Sequence, residues 1–209
     1  MLRGFNEQSL VDCAVTIDHP LYFELQLMRD ILTSFLFRDM EKAQATATKF
    51  KDYSETKPWT FDLVIIGFYA GLTNCYLARE TGDVSRLAEA EKICDRIQKL
   101  IGHSKWNFEN KLLLLKAEIY YAKSGIAEAT KRYEASIQGE PNEAAKYYEA
   151  SIKSAKEHKF VQEEAVACEL AGYFYKEQGD ETKSCNMFKQ AWDAYIKWGA
   201  TGKANLLPL

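Results

Sequence analysis

The chain has 209 residues, of which 47% are hydrophobic and 27% are charged, and its formal net charge is −3. This is the balance of an ordinary soluble globular protein, with enough material for one sizeable domain or a short repeat array. The slightly negative charge gives no electrostatic reason to expect a nucleic acid as partner.

The N-terminus and the cysteines bear on the compartment. The start, "MLRGFNEQSL", lacks the apolar core of a secretory signal, and the longest apolar run, residues 63–72, is about half of the ~20 residues that a membrane-spanning helix needs. We therefore interpret that run as a buried helix and expect no membrane insertion.

The five cysteines are odd in number and have no C-x-x-C spacing, which predicts reduced thiols in the cytoplasm. They are Cys13, Cys75, Cys94, Cys168 and Cys185.

Hydrophobic periodicity predicts helices along nearly the whole chain. From Leu21 onward, apolar residues recur at i, i+3, i+4 and i+7, which is the stripe of an amphipathic helix, and no stretch alternates with period two. Glycine at the predicted joints can end one helix, and Asp can begin the next. The joints are Gly82-Asp83, Ser124-Gly125 and Gly179-Asp180. Short joints make antiparallel neighbours. The predicted helices span about 21–37, 39–54, 60–80, 86–100, 106–123, 126–138, 141–157, 160–177 and 181–197.

Two helix pairs share one spacing of small and aromatic residues. The separations are 3, 9, 4 and 3 residues in Ala117, Tyr120, Ala129, Tyr133 and Ser136, and again in Gly172, Tyr175, Ser184, Phe188 and Ala191. Small residues let two helices approach closely, and a ring fills the gap opposite each of them. We predict an all-α, tetratricopeptide-like antiparallel helix-hairpin array, a right-handed α-solenoid of eight to nine helices. The alternative is a generic helical bundle in which this spacing is a coincidence.

The C-terminal tract, residues 158–207, contains a set of short packing motifs. They are Glu163-Glu164-Ala165, Glu169-Leu170-Ala171, Phe174-Tyr175, Trp198-Gly199-Ala200 and Lys203. Through these residues the tract resembles the helical-repeat tail of very large multidomain signalling proteins, which join a protein-kinase-like segment, an AAA-type ATPase and sensor modules, sometimes with a histidine kinase. The resemblance extends more weakly back to about residue 21. It implies a tetratricopeptide-like scaffold within signalling machinery, and it carries over no catalytic residue.

The chain departs from that family pattern in a duplicated segment, residues 127–152. Eight of the eleven positions from 127 to 137 are identical fifteen residues later. A single helix through both copies would contain Pro141, and a mid-helix proline costs ~3 kcal/mol. We therefore predict two helices, 126–138 and 141–157. We expect the first to close the hairpin begun at 106 and the second to be an inserted layer. The alternative is that one copy packs and the other is a loosely held bulge.

No motif predicts catalysis, a cofactor or a metal site. The string "GATGKAN", 199–205, evokes a phosphate loop, but Gly199 is too close to Gly202 and Ala204 stands where Ser or Thr should be. We interpret it as a turn that closes the last helix. The three histidines, at 19, 103 and 158, lie far apart, and no nucleophile elbow occurs. We predict that the chain is not an enzyme, binds no metal and does not hydrolyse ATP.

Two classes of function remain, and the sequence names no protein-binding residue in either. The first is a non-catalytic helical-repeat scaffold that binds another protein, and the second is a regulatory segment of a signalling ATPase or kinase that occurs as a truncated or independent chain. The partner and self-association are left open. We assign residues 1–20 to an N-terminal extension and 21–209 to a single helical-repeat domain.

Overall fold

A computed structural model of the chain describes residues 20–130 and 141–209. Within these residues the protein has nine helices and no strand, which confirms the predicted all-α fold. The predicted N-terminal extension lies outside the described residues except for Pro20, where the first helix begins. The helices, in chain order, are α1 Pro20–Leu36, α2 Met40–Ser54, α3 Phe61–Thr81, α4 Val84–Leu100, α5 Lys105–Thr130, α6 Pro141–Glu157, α7 Val161–Glu177, α8 Glu181–Trp198 and the short α9 Thr201–Ala204.

Two of the three predicted joints end and begin helices as expected. Gly82 and Gly179 adopt left-handed conformations with φ of 72° and 75°, which a residue without Cβ adopts at no steric cost. Asp83 and Asp180 then accept hydrogen bonds from backbone N–H groups in the first turns of α4 and α8. These caps satisfy donors that have no partner within the helix. The two turns therefore fix where α3 meets α4 and where α7 meets α8.

The eight long helices form two layers. The odd-numbered helices contact one another in order, α1 with α3, α3 with α5 and α5 with α7. Each even-numbered helix packs onto its neighbours along the chain. The helices thus form four consecutive hairpins, and a single hydrophobic cluster extends from Leu27 in α1 to Leu207 after α9. Burial on several sides explains why α3, α5 and α7 are apolar around most of their circumference.

Helix α3 lies at the centre of the N-terminal half. Two of its glycines admit side chains of their neighbours: a Cβ at Gly67 would lie 2.7 Å from Trp59, and one at Gly71 would lie 2.9 Å from Leu115. By length and composition α3 is also apolar enough to cross a membrane, but 67% of its most apolar 18-residue stretch is buried inside the protein. Core helices of soluble proteins have this same character, so its packing explains its composition.

The α7–α8 hairpin shows the contacts that the 3-9-4-3 spacing predicts. A Cβ at Gly172 would lie 2.7 Å from the Phe188 ring, so the ring occupies the space that glycine leaves. Ser184 Oγ donates to the Gly172 carbonyl at 3.0 Å, and Ala191 is buried one helical turn beyond Phe188. Close approach of the two helices therefore depends on small residues on both sides.

The predicted joint at Ser124-Gly125 is wrong. Helix α5 runs through both residues without a break, and the Ser124 hydroxyl donates back to the Tyr120 carbonyl at 3.0 Å. A glycine inside a helix costs only ~1 kcal/mol, and the residues that follow are good helix formers. Residues 126–130 of the helix predicted at 126–138 therefore belong to α5, and residues 131–138 lie outside the described residues.

The hairpin with α5 is closed by the second copy of the duplicated segment. This copy forms α6, which begins at Pro141 as predicted. The expectation that the first copy closes the hairpin and the second is an inserted layer is wrong, because α5 takes up the start of the first copy. Of the contact residues predicted there, Tyr133 and Ser136 lie outside the described residues. Their counterparts fifteen positions later, Tyr148 and Ser151, are buried in α6.

Candidate interaction surface

The even-numbered helices leave grooves between them, with the odd-numbered helices as floors. The groove between α6 and α8, which we call the α6–α8 groove, has a volume of about 470 Å³. Its floor and walls carry apolar groups from three helices: Ile152 from α6, Ala171 and Tyr175 from α7, and Met187 from α8. Apolar, concave surfaces of this size suit an inserted side chain of a ligand.

Charged side chains surround this apolar floor. Three lysines, Lys153, Lys156 and Lys183, and two acids, Glu149 and Glu157, lie along the rim. The rim therefore has a formal charge of +1 on a chain whose total is −3. The ammonium group of Lys183 lies 5.1 Å from the centre of the Tyr175 ring, so the cation and the aromatic floor are adjacent.

The groove between α2 and α4 differs, because its two walls are joined by charges. It has a volume of about 330 Å³. Glu89 on α4 pairs with Lys51 on α2 at 3.2 Å and with Lys92 at 2.7 Å. Arg96 lies 4.4 Å from the Trp59 ring centre and donates to the backbone carbonyls of Ser54, the last residue of α2, and Lys57 in the α2–α3 connection. The charges of this groove are thus largely used within the protein.

A third groove lies between α4 and α6 over α5. Tyr120 of α5 stacks on Tyr147 of α6 with ring centres 5.3 Å apart. Lys116 and Lys123 flank the pair, and Lys123 also forms a 2.7 Å salt bridge with Glu91 of α4. Both rings are half-buried and line this groove.

The opposite side of the array is closed by a buried carboxylate, Glu169 of α7, and its partners. Lys203 of α9 lies 2.7 Å from Glu169, and Arg38 of the α1–α2 turn lies 3.1 Å from it. Tyr195 of α8 donates to the second oxygen at 2.6 Å. We call these four residues the Glu169 cluster. It joins residues 131 positions apart, so the first hairpin is tied to the last.

The geometry of Arg38 supports this closure. The residue adopts φ of 61°, which is uncommon for a residue with a side chain. Its guanidinium lies 4.5 Å from the Tyr173 ring centre as well as beside Glu169. Side chains from the α1–α2 turn, α7, α8 and α9 therefore meet around this carboxylate.

A second buried carboxylate, Glu118 of α5, has similar partners. Arg79 of α3 lies 2.6 Å from one of its oxygens, and Tyr148 of α6 donates to the other. We call these three residues the Glu118 cluster. Burial and the nearby Glu118 carboxylate raise the pKa of Tyr148, and burial and Glu169 likewise raise the pKa of Tyr195. Both phenols therefore remain protonated donors at neutral pH.

A third buried pair joins α5 to the start of α7. Lys111, which is 1% exposed, lies 2.7 Å from Glu163. Glu163 lies in the first turn of α7, where a negative charge also interacts favourably with the helix dipole. Its partner, 52 residues earlier in the chain, gives no local sequence signal. A buried ion pair of this kind fixes relative positions more than it adds stability.

The string "GATGKAN" has a structural role. Gly199 ends α8 with φ of 88°, and the residues after it form α9. The string thus closes the last helix as interpreted, but Lys203 points into the core, where burial lowers its pKa although Glu169 acts in the opposite direction. Sequence reasoning missed this role because Lys203 and Glu169 are 34 residues apart.

The residues weighed for chemistry lie apart from one another. His103 is exposed in the turn after α4, and His158 packs beside the Trp106 ring, while His19 is outside the described residues. Within the described parts of the chain, no three His, Cys, Asp or Glu side chains are grouped as a metal site would require.

Of the four cysteines that the structure describes, three are buried. Cys75, Cys94 and Cys168 lie in the core, whereas Cys185 is exposed on α8. Burial raises the pKa of Cys94 to about 11 and that of Cys168 to about 12. Thiols with such high pKa values form little thiolate at neutral pH, so these two are poor nucleophiles and behave as core residues.

The chain matches no protein-family model, no curated protein and no solved structure.

Proposed function

We propose that the chain is a non-catalytic helical-repeat scaffold that binds a segment of another protein in the α6–α8 groove. The observation that carries this proposal is the apolar floor of that groove, with Met187 and Tyr175 in it and three lysines on its rim. Apolar side chains of a ligand would fill the floor, and acidic residues on either side of them would face the lysines.

The charges favour this groove over the one between α2 and α4. There the Lys51–Glu89 salt bridge connects the two walls and would have to break before a ligand entered. Among the described residues of the α6–α8 groove, the walls are connected at one end, where Lys156 donates to Gln190 at 2.7 Å. Among the described residues, a ligand that enters the α6–α8 groove therefore breaks no salt bridge between the two walls. The three rim lysines each lie within 4.0 Å of an acid, Lys153 of Glu157, Lys156 of Glu164 and Lys183 of Asp180, and a ligand would compete with these acids.

A matched pair of variants on α8 tests the proposal. Peptides selected from a random library for binding to the native chain would be measured against Met187→Glu and against Cys185→Glu, which adds the same charge on a different side of the same helix. We expect at least a tenfold loss of affinity, or about 1.4 kcal/mol, for Met187→Glu alone. Equal affinities of the two variants would disprove the proposed site.

The alternative is a regulatory segment of a signalling ATPase or kinase. It is supported by the resemblance of the C-terminal tract, whose residues Glu169 and Lys203 form the buried pair that closes the array. A pull-down of the native chain with identification by mass spectrometry distinguishes the two. Recovery of kinase or ATPase polypeptides favours the regulatory segment, whereas recovery of unrelated structural proteins favours the general scaffold.

A further inference from the structure

Arg96 of α4 differs from the other described arginines because it has no acidic partner. Each of the others lies between 2.6 and 3.5 Å from a carboxylate oxygen; they are Arg29, Arg38, Arg79 and Arg86. Burial lowers the pKa of the Arg96 guanidinium, and in the described parts of the chain no carboxylate opposes that effect. The charge of Arg96 is therefore uncompensated there, and a bound anion would relieve the cost of burying it.

The guanidinium of Arg96 is held in place but keeps free donors. Two of its N–H groups donate to the carbonyls of Ser54 and Lys57, at 3.1 and 2.8 Å. Its central carbon lies 4.4 Å from the centre of the Trp59 ring, which supports one of its faces. The remaining N–H groups of the guanidinium have no acceptor among the described residues. An oriented guanidinium with free donors suits a carboxylate, which it can bind through two parallel hydrogen bonds.

Arg96 lines the groove between α2 and α4, which has an apolar floor. We call it the α2–α4 groove. Its volume of about 330 Å³ is within the range of small-molecule sites. The Phe50 and Trp59 rings pack edge to face in it, with ring centres 5.6 Å apart, and Ala47 and Ile93 complete the apolar lining. A flat aromatic group of a ligand would pack well against these rings.

The charges around the α2–α4 groove favour a ligand with a single negative charge. Three cations, Lys51, Lys92 and Arg96, and two acids, Glu55 and Glu89, line the groove, so the formal charge of its lining is +1. Lys51 and Lys92 both pair with Glu89, at 3.2 and 2.7 Å. One carboxylate beside Arg96 would therefore bring the formal charge of the groove to zero without competing for either lysine.

Two further polar groups in this lining have no hydrogen-bond partner among the described residues. The first is the half-buried side-chain amide of Asn74 in α3. The second is the indole N–H of Trp59, which is buried. Buried donors without a partner are rare in native structures, and each carries a desolvation cost. Acceptor atoms of a ligand in the groove would lower that cost.

The Lys51–Glu89 salt bridge restricts the α2–α4 groove to small ligands. The bridge connects the two walls, so a peptide chain that ran along the groove would have to break it. Glu89 and Arg96 are seven residues apart on α4, which corresponds to about 10 Å along the helix axis. A small molecule of that length can lie between the bridge and the guanidinium.

We propose that the α2–α4 groove is a binding site for a small aromatic monocarboxylate. The carboxylate of this ligand binds the Arg96 guanidinium, and its ring packs against Phe50 and Trp59. The site is separate from the α6–α8 groove, and the proposal does not depend on the proposed function. The two grooves would thus bind two different classes of ligand, a small molecule between α2 and α4 and a protein segment between α6 and α8.

Two probes that differ only in charge provide the first test. Cinnamate is a flat aromatic carboxylate, and cinnamyl alcohol has the same carbon skeleton without the charge. We expect the native chain to bind cinnamate at least about tenfold more tightly in an NMR titration, because hydrogen bonds to charged groups are the strong ones. Failure of cinnamate to bind at millimolar concentration, or equal affinities for the two probes, would overturn the proposal.

A matched pair of variants on α4 tests whether Arg96 is responsible for that preference. Arg96→Gln should reduce the preference for cinnamate over cinnamyl alcohol to less than about threefold, because the charge-assisted hydrogen bonds are lost. Lys99→Gln removes the same charge from an exposed position of the same helix and should keep the full preference. Binding of the alcohol shows that the groove of each variant is intact. An unchanged preference in Arg96→Gln would show that the proposed site is wrong.

The indole N–H resonances locate the bound probe in the native chain, so this test does not require Arg96→Gln to fold. Of the four tryptophans, Trp59 alone lines the α2–α4 groove. In nitrogen–proton correlation spectra, cinnamate should shift the Trp59 indole resonance, which Trp59→Phe identifies, and the side-chain amide resonance of Asn74. Trp106, Trp192 and Trp198 are internal controls whose resonances should not move. A Trp59 resonance that stays in place at saturating cinnamate would overturn the proposal.

Discussion

The α5–α6 and α7–α8 hairpins use the same kind of contact, but their glycines differ. In each, a tyrosine of the even-numbered helix donates to a buried glutamate of the odd-numbered one, Tyr148 to Glu118 and Tyr195 to Glu169. In α7, Gly172 makes room for the Phe188 ring, whereas a Cβ at Gly125 of α5 would meet one atom, at 3.8 Å. The short, capped turn 178–180 fixes the register of α7 and α8, and residues 131–140, between α5 and α6, lie outside the described residues.

The two glutamates also differ in what they hold together. Glu118 pairs with one cation, Arg79 of the adjacent α3, whereas Glu169 pairs with two, Arg38 and Lys203, from opposite ends of the array. The Glu118 cluster therefore joins neighbouring hairpins, and the Glu169 cluster closes the whole molecule. We expect the second to contribute more to global stability.

Replacing Glu169 should have the largest effect. Glu169→Ala leaves Lys203 and Arg38 without their carboxylate, and loss of one partner of a buried ion pair costs about 3–5 kcal/mol. Unfolding in urea should show this loss, with a smaller one for Glu118→Ala. Glu157→Ala, at an exposed acid, is the control and should change stability by less than about 0.5 kcal/mol. Equal midpoints for Glu169→Ala and Glu157→Ala would show that the cluster contributes nothing.

A Gly→Ala change in the α7–α8 hairpin should have the next largest effect. In Gly172→Ala the new Cβ would lie 2.7 Å from the Phe188 ring, which is held edge-on by Tyr173 with ring centres 5.0 Å apart. The strain of overpacking exceeds the gain in helix propensity, so we expect a net loss of about 1–2 kcal/mol in denaturant unfolding. Phe188→Leu in the same background provides room and should recover part of that loss.

Features that depend on residues close together in the chain could be predicted from the sequence, whereas contacts between residues distant in the chain could not. Caps are local, so Gly82, Asp83, Gly179 and Asp180 marked helix ends correctly. Ser124-Gly125 carried a similar signal and was misread, because the packing of α5 overrides the ~1 kcal/mol that an internal glycine costs. A local pattern states where a helix can end, and tertiary contacts decide whether it does.

The buried charges were not predictable in the same way. Glu118, Glu169 and Lys111 each lie on an apolar helix and have partners between 26 and 131 residues distant in the chain. From the sequence alone, a single charged residue in such a helix is assigned to the solvent-exposed side. Its burial is evident only in the fold, where a partner that is distant in the chain lies next to it. The grooves were missed for the same reason, since each is built from three helices.

The same Gly→Ala change in the α5–α6 hairpin should have a smaller effect of opposite sign. In Gly125→Ala the new Cβ makes an ordinary contact with Arg79, so the gain in helix propensity is not offset. We expect a stabilisation of about 0.5–1 kcal/mol in denaturant unfolding. Destabilisation by Gly125→Ala would contradict the contrast between the two hairpins.

Removing one copy should have the smallest effect on stability. Deletion of residues 138–152 joins Ile137 directly to Lys153, so the first copy continues into the native last turn of α6. In this variant the residues at the buried positions of α6 are unchanged, so we expect its free energy of unfolding to change by less than about 1 kcal/mol. Tyr133→Ala reports whether the joined helix packs on α5. In the deletion variant it should cost the roughly 3–5 kcal/mol expected for removing a large buried side chain, as Tyr148→Ala should in the full chain. A deletion variant that is stable yet insensitive to Tyr133→Ala would mean that the joined helix does not pack and that α6 contributes little to the fold.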